Sequence, residues 1–223
     1  MKLNLKYSIA VTWFTAIFFT ACGQSTATKQ KPIIMDDNKN YAAGTLDTAT
    51  FGSGCFWCVE AVFQLLDGVT KVESGYSGGT VKNPSYREVC TGTTGHAEVC
   101  QITYDKSKIS FKDLLEVFWK THDPTTLNMQ GNDHGTQYRS VVFYHNDEQK
   151  QLAEKYKAEL SKSGAWENPV VTEITAYTAF YKAEDYHQDY FNLNGTEPYC
   201  RFVIQPKVEK FESVFKDKMK TIK

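Results

Sequence analysis

The stretch Gly54–Glu60, which reads G-C-F-W-C-V-E, completes a Gly-Ser-Gly turn and opens a helical pattern. Apolar residues recur after it at spacings of three and four, which predicts a helix that begins near Cys55 and buries one face. A thiol at a helix N-terminus lies among unpaired N–H groups and at the positive end of the helix dipole. Both favour the thiolate, which is the nucleophilic form of cysteine.

Two aromatic residues, Phe56 and Trp57, follow this thiol directly. If both are exposed, they place an apolar surface beside a nucleophile, which indicates that a small apolar substrate group docks there. The alternative is a structural role, in which Cys55 is buried at a helix start and the two rings belong to the core.

The segments on both sides of this stretch alternate between strand and helix patterns. This order predicts an α/β (α+β) protein, a ferredoxin-like two-layer sandwich of split β-α-β units. Two long loops, 77–96 and 121–138, are expected to form the site. The predicted strands cover 48–53, 69–76, 97–104, 139–144, 170–176 and 198–204. Two predicted helices begin at Cys55 and Ser110. Three more cover 147–161, 183–193 and 207–219.

The N-terminal segment differs in composition from the rest of the chain. Lys2 and Lys6 precede a short apolar stretch at 9–19, which fits a secretory signal better than a transmembrane helix. Small residues before Cys22 predict a lipoprotein signal peptide over 1–21, after which Cys22 becomes the lipidated N-terminus. An ordinary signal peptide with an incidental cysteine is the alternative.

A polar, Ser/Thr/Lys-rich segment over 22–44 is predicted to be a flexible tether, and 45–223 to be the folded domain. The lipid anchor would hold this domain on a membrane. The expected location is therefore the bacterial cell envelope, with the domain facing outside the cytoplasm, in the periplasm or at the surface.

Charge and cysteine content exclude several classes of function. The formal net charge is -1 without a Lys/Arg stripe, so nucleic-acid binding receives no support. No CxxC…CxxC or HExxH spacing occurs, so no metal site is expected. Setting Cys22 aside leaves five of the six cysteines, an odd number that indicates a free or redox-cycling thiol in an exported protein. These are Cys55, Cys58, Cys200 and two interpreted as core thiols, Cys90 and Cys100.

Glu98 is the candidate acid. If 97–104 is a strand, Glu98 shares a face with Cys100 and Ile102. A carboxyl group on an apolar face loses solvation, which favours its neutral form, and a neutral carboxyl group can donate a proton. The alternative is a glutamate at the sheet end that reaches water.

The long loops carry further polar candidates. Tyr86, Asp133 and Tyr138 offer two O–H donors and a carboxylate, with packing as the alternative role for each tyrosine. His96 and His134 are candidate bases, although each lies beside a glycine, where capping a turn is the alternative.

Six ordered motifs run between about Ala49 and Cys200. They are GCFW at 54–57, GYSGG at 75–79, NPSYREVC at 83–90, GHAE at 95–98, NDHGTQYR at 132–139 and YHQDY at 186–190. Together they resemble the peptide-methionine (S)-S-oxide reductases, the A-type methionine sulfoxide reductases. The N-terminal leader lies outside this resemblance.

The resemblance implies a thiol reductase that repairs oxidised proteins through a sulfenic acid, without metal or organic cofactor. Carried over to this chain, Cys55 attacks the sulfoxide sulfur, while Phe56 and Trp57 hold the S-methyl group. Glu98 protonates the sulfoxide oxygen.

The same resemblance gives roles to the loop residues. Tyr86 and Tyr138 hydrogen-bond to the sulfoxide oxygen, and Asp133 organises the site and helps to deprotonate the nucleophile. After methionine leaves, a second thiol forms a disulfide that a thioredoxin-like donor reduces. The expected partners are oxidised proteins, methionine sulfoxide peptides, this reductant and a membrane, and the protein is expected to be a monomer.

The second thiol departs from the common family pattern. Many members carry glycine where this chain has Cys58, which lies one helical turn from Cys55. Cys200 lies near the family's usual resolving position, but its flanks favour a strand over a flexible arm. Cys58 is therefore the preferred resolving cysteine, and Cys200 is the alternative.

Two other functions remain compatible with the residues alone. The Cys55-x-x-Cys58 spacing also fits a thioredoxin-like disulfide oxidoreductase, but the aromatic pair and the loop residues do not. A surface lipoprotein that binds peptides without catalysis is the second alternative.

Overall fold

The computed structural model describes residues 44–221, so the predicted signal peptide, Cys22 and the tether up to residue 43 lie outside it. No helix in the described residues is long and apolar enough to cross a membrane. The strands are β1 (Leu46–Ser53), β2 (Val69–Ser77), β3 (Ala97–Asp105), β4 (Met129–Gln130), β5 (Asp133–His134), β6 (Ser140–Tyr144), β7 (Glu173–Ala176) and β8 (Phe180–Lys182). The α-helices are α1 (Phe56–Phe63), α2 (Tyr86–Cys90), α3 (Phe111–Thr121), α4 (Asp147–Lys162), α5 (Tyr190–Leu193) and α6 (Gln205–Val214). Single turns of 3₁₀-helix cover Thr136–Tyr138, Asp185–His187 and Lys216–Lys218, and a π-helical turn covers Cys200–Ile204.

The main sheet has six strands in the order β7-β6-β1-β3-β2-β8. Helix α1 connects β1 to β2, and β3 lies between these two strands in the sheet. Helix α3 lies in the connection from β3 to β6, and β1 lies between those two strands. These are two split β-α-β units, so the predicted ferredoxin-like arrangement is confirmed. β8 extends the sheet antiparallel to β2, and β7 extends it parallel to β6.

One face of the sheet carries the main hydrophobic core under the helices. Cys100, Ile102 and Tyr104 of β3 belong to this core. The alternate residues Ala97 and Val99 belong to a smaller cluster on the opposite face. The period-two alternation of β3 therefore places Glu98 on the helix-covered face, as the sequence predicts.

Reciprocal caps begin the two helices that follow the long strands β2 and β3. Ser110 caps α3 in a capping box with Asp113, and Ser85 does the same for α2 with Glu88. Each box satisfies backbone N–H groups that the first helical turn leaves free. The second box fixes Tyr86 at the first position of α2.

The helix predicted over 183–193 is wrong. The structure has only a 3₁₀ turn and the one-turn helix α5 there, separated by Asp189 at φ 53°. Gln188 ties this segment to β2, because its side chain accepts from Ser74 N–H at 3.0 Å and donates to the Ser74 carbonyl at 3.0 Å. The short strand β8 leads into it.

The strand predicted over 198–204 is also wrong. Its aromatic and β-branched residues favour a strand, but Cys200–Ile204 forms a π-helical turn that continues into α6. Cys200 and Ile204 both face the core and are buried. Packing on the core thus overrides local propensity, and Pro206 then fits the first turn of α6.

Candidate active site

Cys55 is the N-cap residue of α1, as the sequence predicts. The turn before it depends on Gly54, which has φ 90°, and a Cβ atom there would lie 2.6 Å from the Gln130 side chain. Glycine is the residue that accepts both the conformation and the close approach. The turn places the Cys55 thiol at the helix start, where only 6% of the residue is exposed.

The charge state of Cys55 differs from the sequence-based prediction. Burial raises the pKa of the Cys55 thiol, and a hydrogen bond donated to Cys58 and the charge of Glu98 raise it further. Burial therefore opposes the stabilisation of the thiolate that the helix-start position predicts.

Cys58 is the more acidic thiol of the pair. The hydrogen bond from Cys55 and the charge of Lys207 lower its pKa to about 7, against the effect of burial. The Lys207 ammonium group donates to Cys58 Sγ at 3.5 Å. The contact with Lys207 places the Cys58 thiol between α1 and α6.

Glu98 is a buried acid directly behind the helix start. Only 1% of the residue is exposed, and its Oε2 accepts the Phe56 N–H at 3.1 Å. Burial raises its pKa to about 8, with smaller contributions from the charges of Asp133 and Cys58. Glu98 is therefore protonated at neutral pH, as predicted, and the alternative of a water-exposed glutamate is excluded.

The two aromatic residues after Cys55 differ in their burial. Phe56 is 1% exposed, so its predicted exposure is wrong, whereas Trp57 is half-buried. The Trp57 ring stacks on Tyr190 at a centroid distance of 3.7 Å, and its Nε1–H donates to His187 Nδ1 at 3.2 Å. Phe56 packs against His187 at 5.0 Å, which joins the two rings into one apolar wall.

Tyr86 and Tyr138 both lie at this site. The Tyr86 ring stacks near Phe56 at 6.5 Å, and its N–H donates to Glu184 Oε1 at 2.9 Å. Burial raises the pKa of both phenols, and the charge of Glu98 adds to this for each. Both tyrosines therefore keep their protons and can donate hydrogen bonds to a substrate oxygen.

Asp133 reaches the thiol pair through a tyrosine that the sequence reasoning missed. Tyr199 O–H donates to Asp133 Oδ2 at 2.8 Å and lies within hydrogen-bond reach of the Cys55 sulfur. The position of Tyr199 beside Cys200 could have indicated a role at the site. The strand predicted over 198–204 did not place its side chain there. His187 and Tyr190, from the motif at 186–190, also reach the site without a predicted role.

The remaining cysteines separate clearly by burial. Cys200 is fully buried, and burial and the charge of Cys58 raise its pKa to about 11. Cys100 is buried as predicted, but Cys90 is exposed, so its interpretation as a core thiol is wrong. Cys90 is the last residue of the short helix α2, which Tyr86 begins. All five cysteines of residues 44–221 are free thiols.

The structure places the two candidate histidine bases differently. His96 is buried, and its ring bridges the Gly79 N–H and the Val81 carbonyl, which is a structural role. His134 is exposed in the β4–β5 hairpin. Within residues 44–221 no three His, Cys, Asp or Glu side chains are placed to hold one metal ion.

The assembled site combines an ionisable thiol pair, a protonated carboxyl group and two phenol donors beside an aromatic wall. The carboxyl group and the phenols can stabilise and protonate an oxygen atom, and the thiols can supply two electrons by forming a disulfide. This chemistry suits the reduction of a small, partly apolar oxidised group.

Known proteins match most of the described chain. The family described as peptide methionine sulfoxide reductase matches residues 47–219. A peptide methionine sulfoxide reductase MsrA from Saccharolobus solfataricus is 55% identical over 175 residues, which are 78% of this chain and 98% of that protein. The corresponding protein of Trichodesmium erythraeum is 54% identical over 174 residues, with coverage of 78% and 98%.

Solved structures give the same result. The crystal structure of Mxr1 from Saccharomyces cerevisiae in reduced form has a TM-score of 0.67 at 35% identity, covering 74% of this chain and 94% of that chain. The methionine sulfoxide reductase A of Corynebacterium diphtheriae has a TM-score of 0.63 at 35% identity, covering 69% and 77%.

Proposed function

The chain belongs to the peptide methionine sulfoxide reductase family and reduces methionine sulfoxide with thiols, and from this premise we propose that Cys55 is the attacking thiol. The observation that carries the proposal is the geometry of the helix start. The Cys55 thiol lies at the N-cap of α1, and the next residue, Phe56, donates its N–H to the protonated Glu98. The first turn of α1 therefore holds the thiol and the acid together. Family membership also removes the two alternative functions, a disulfide oxidoreductase and a binding lipoprotein without catalysis.

The first step needs a proton taken from Cys55 and a proton given to the substrate. Cys55 donates its hydrogen bond to Cys58, so the Cys58 thiolate is the nearest acceptor for that proton. Asp133 accepts the Tyr199 hydroxyl and so orients this phenol beside the thiol pair. The Cys55 sulfur then attacks the sulfoxide sulfur.

Glu98 gives its proton to the sulfoxide oxygen, and Tyr86 and Tyr138 donate hydrogen bonds to the same oxygen. The bond between this oxygen and the substrate sulfur breaks, and the oxygen ends on Cys55 as a sulfenic acid. Methionine is reduced by two electrons and Cys55 is oxidised by two. The wall of Phe56 and Trp57 holds the S-methyl group during this exchange.

Cys58 resolves the sulfenic acid. Cys58 gives up the proton that it took from Cys55 and attacks the Cys55 sulfur as the thiolate. A disulfide forms, and the hydroxide departs with that proton as water. The pKa of about 7 and the contact with Cys55 support this choice. Cys200 is the alternative, but it is buried and its pKa of about 11 disfavours the thiolate at neutral pH. A thioredoxin-like dithiol then supplies two electrons and two protons to restore the pair.

One turnover without reductant tests the thiol assignments. We expect mass spectrometry to find a Cys55–Cys58 disulfide in the parent protein, and a dimedone-reactive Cys55 in Cys58→Ser after release of one methionine per enzyme. Cys90→Ser is the matched control and should behave like the parent. If Cys58→Ser cycles normally with the donor while Cys200→Ser stalls, Cys200 is the resolving cysteine and the proposal fails.

The proposed cellular location rests on the N-terminal sequence alone. We propose that Cys22 carries lipid after cleavage and that a polar tether holds a monomeric domain outside the cytoplasm. Labelling with a radioactive fatty acid should mark the parent protein and not Cys22→Ser. Recovery of unprocessed, lipid-free protein from the cytosol as the main species would contradict this proposal.

A further inference from the structure

His187 lies buried among the aromatic residues of the site, and the mechanism above gives it no step. Only 1% of the residue is exposed. Its ring centroid lies 5.0 Å from that of Phe56, 5.5 Å from that of Trp57 and 4.5 Å from that of Tyr86. These are residues proposed above to hold the S-methyl group and the sulfoxide oxygen.

The hydrogen bond to Trp57 determines which nitrogen of the His187 ring carries the proton. An indole N–H can only donate, so His187 Nδ1, which lies 3.2 Å from Trp57 Nε1, must be an unprotonated acceptor. Burial lowers the pKa of His187 against the charge of Glu184, which keeps the ring neutral at neutral pH. The single ring proton therefore lies on Nε2.

The carboxylate of Glu184 supports this tautomer. Its Oε2 lies 3.9 Å from His187 Nε2, which is too far for a hydrogen bond but close enough for electrostatic attraction to the proton. Glu184 is itself held in place, because it accepts the Tyr86 N–H at 2.9 Å and the Tyr76 hydroxyl at 3.0 Å. With the proton drawn to Nε2, Nδ1 accepts from the indole.

This tautomer has a cost. His187 Nε2 is buried without a hydrogen-bond partner among residues 44–221, and an unpaired buried donor is destabilising. A phenyl ring would fill the same space without that cost. The group that histidine adds to packing at this position is the Nδ1 acceptor for Trp57.

The Trp57 indole is restrained in two different ways. It stacks on Tyr190 with a centroid distance of 3.7 Å and an angle of 7° between the rings, which fixes the plane of the indole. Stacking alone lets the indole slide along that plane. The hydrogen bond to His187 opposes this sliding, because a hydrogen bond depends on both distance and direction.

We propose that His187 is a positioning residue that sets the width of the S-methyl site by fixing the Trp57 indole through Nδ1. The inference rests on the proposed function, in which Phe56 and Trp57 hold the methyl group. A fixed indole excludes a larger alkyl group on the sulfoxide, whereas an indole that slides admits it. One methylene in an apolar site changes the rate about 10- to 200-fold.

Single-turnover rate constants without reductant test this role. The substrates are the S-epimers of N-acetylmethionine sulfoxide and N-acetylethionine sulfoxide at limiting concentration, and the readout is the ratio of the two rate constants. We expect the parent to prefer the methyl substrate about tenfold or more.

His187→Leu and His187→Asn form a matched pair, because the two new side chains have nearly the same size and only asparagine keeps an acceptor near the Nδ1 position. His187→Leu should lose about fivefold of the preference, the equivalent of one hydrogen bond. His187→Asn should lose less than about twofold, since its amide oxygen still accepts from the indole.

The ratio separates positioning from general damage to the structure, because a partly unfolded variant loses both rates equally. His145→Leu is the control for replacing a histidine. His145 stacks on Tyr177, beside the cluster on the opposite face of the sheet, so its variant should keep the parent ratio.

The tautomer is tested in the parent protein, so this measurement does not depend on how the variants fold. Two-bond ¹H–¹⁵N spectra of protein labelled with ¹⁵N-histidine should show a protonated Nε2 and an unprotonated Nδ1 for His187. Its signals are identified by their absence in His187→Asn.

Four results would overturn the inference. They are a parent that reduces both sulfoxides equally fast, an unchanged ratio in His187→Leu, an equal loss in His187→Leu and His187→Asn, and a proton on His187 Nδ1. In each case the parent still releases methionine. A failure of the proposed function is distinct, because the parent would then release none.

Discussion

On the two sides of the first turn of α1, the surroundings shift side-chain pKa values in opposite directions. On the substrate side, burial raises the pKa of Glu98, Tyr86 and Tyr138, so all three keep their protons. On the α6 side, the hydrogen bond from Cys55 and the charge of Lys207 lower the pKa of Cys58 to about 7. Burial is the main cause that keeps Glu98 protonated, whereas a similarly buried thiolate needs a hydrogen-bond donor and a cation from another element.

This difference assigns the two halves of the reaction to two sides of one helical turn. The side that keeps protons serves the oxygen of the substrate. The side with the lysine serves the thiolate that closes the disulfide. Variants on each side should therefore affect different steps.

The largest effect is expected for the residue that both sides share. Cys55→Ser should release no methionine from a sulfoxide peptide, because the serine hydroxyl cannot form the sulfenic acid. Quantifying methionine after a single turnover measures this. Stoichiometric release by the variant would remove Cys55 from the mechanism.

The next largest effect tests the side that keeps protons. Glu98→Gln should lower the single-turnover rate constant about 10²- to 10⁴-fold, the usual contribution of a general acid. In the parent, this rate constant should fall as the pH rises through about 8, since Glu98 then loses its proton.

The Glu98→Gln variant should also lose this pH dependence, because its amide does not titrate. Substrate affinity should change much less than the rate constant. A parent-like rate constant, or an unchanged pH dependence, would show that the proton comes from elsewhere.

A smaller effect tests the α6 side. Lys207→Met should slow disulfide formation roughly tenfold at neutral pH, because the Cys58 pKa returns towards about 8.5 and less thiolate is present. Raising the pH should restore the rate, and Lys207→Arg should keep it. The lifetime of the dimedone-reactive sulfenic acid gives the measurement, and an equal slowing of methionine release would contradict the separation of the two sides.

The smallest effect concerns the contact between the sides. Tyr199→Phe removes the hydroxyl that donates to Asp133 and reaches Cys55. Because this contact opposes the rise of the Cys55 pKa, its loss should slow methionine release about three- to tenfold, the equivalent of one hydrogen bond. Tyr177→Phe, outside the site, is the control, and a parent-like rate for Tyr199→Phe would show that the contact is only structural.

The acid side was accessible from the sequence because it depends on local rules. Strand alternation in β3 placed Glu98 on the buried face, and the turn at Gly54 placed Cys55 at the helix start. The strand order followed from alternating patterns of short segments. These are properties of residues close together in the chain.

The α6 side was not accessible in this way. Lys207 reaches Cys58 only because the segment after Tyr199 leaves its strand propensity and packs as a π-helical turn that leads into α6. Neither the Cys58 pKa nor the hydrogen bond between Tyr199 and Asp133 has a local sequence signal. The prediction for Cys22 concerns residues outside the structure and stays a prediction.

The exposed thiol of Cys90 gives the protein a natural attachment point. Of the five cysteines in residues 44–221, it alone is exposed, and it lies in the same short helix as Tyr86. Brief alkylation of the native domain would therefore tag Cys90 first and crowd Tyr86 from outside. Loss of activity after such treatment would not identify the nucleophile, whereas a fluorophore placed there would report when substrate arrives.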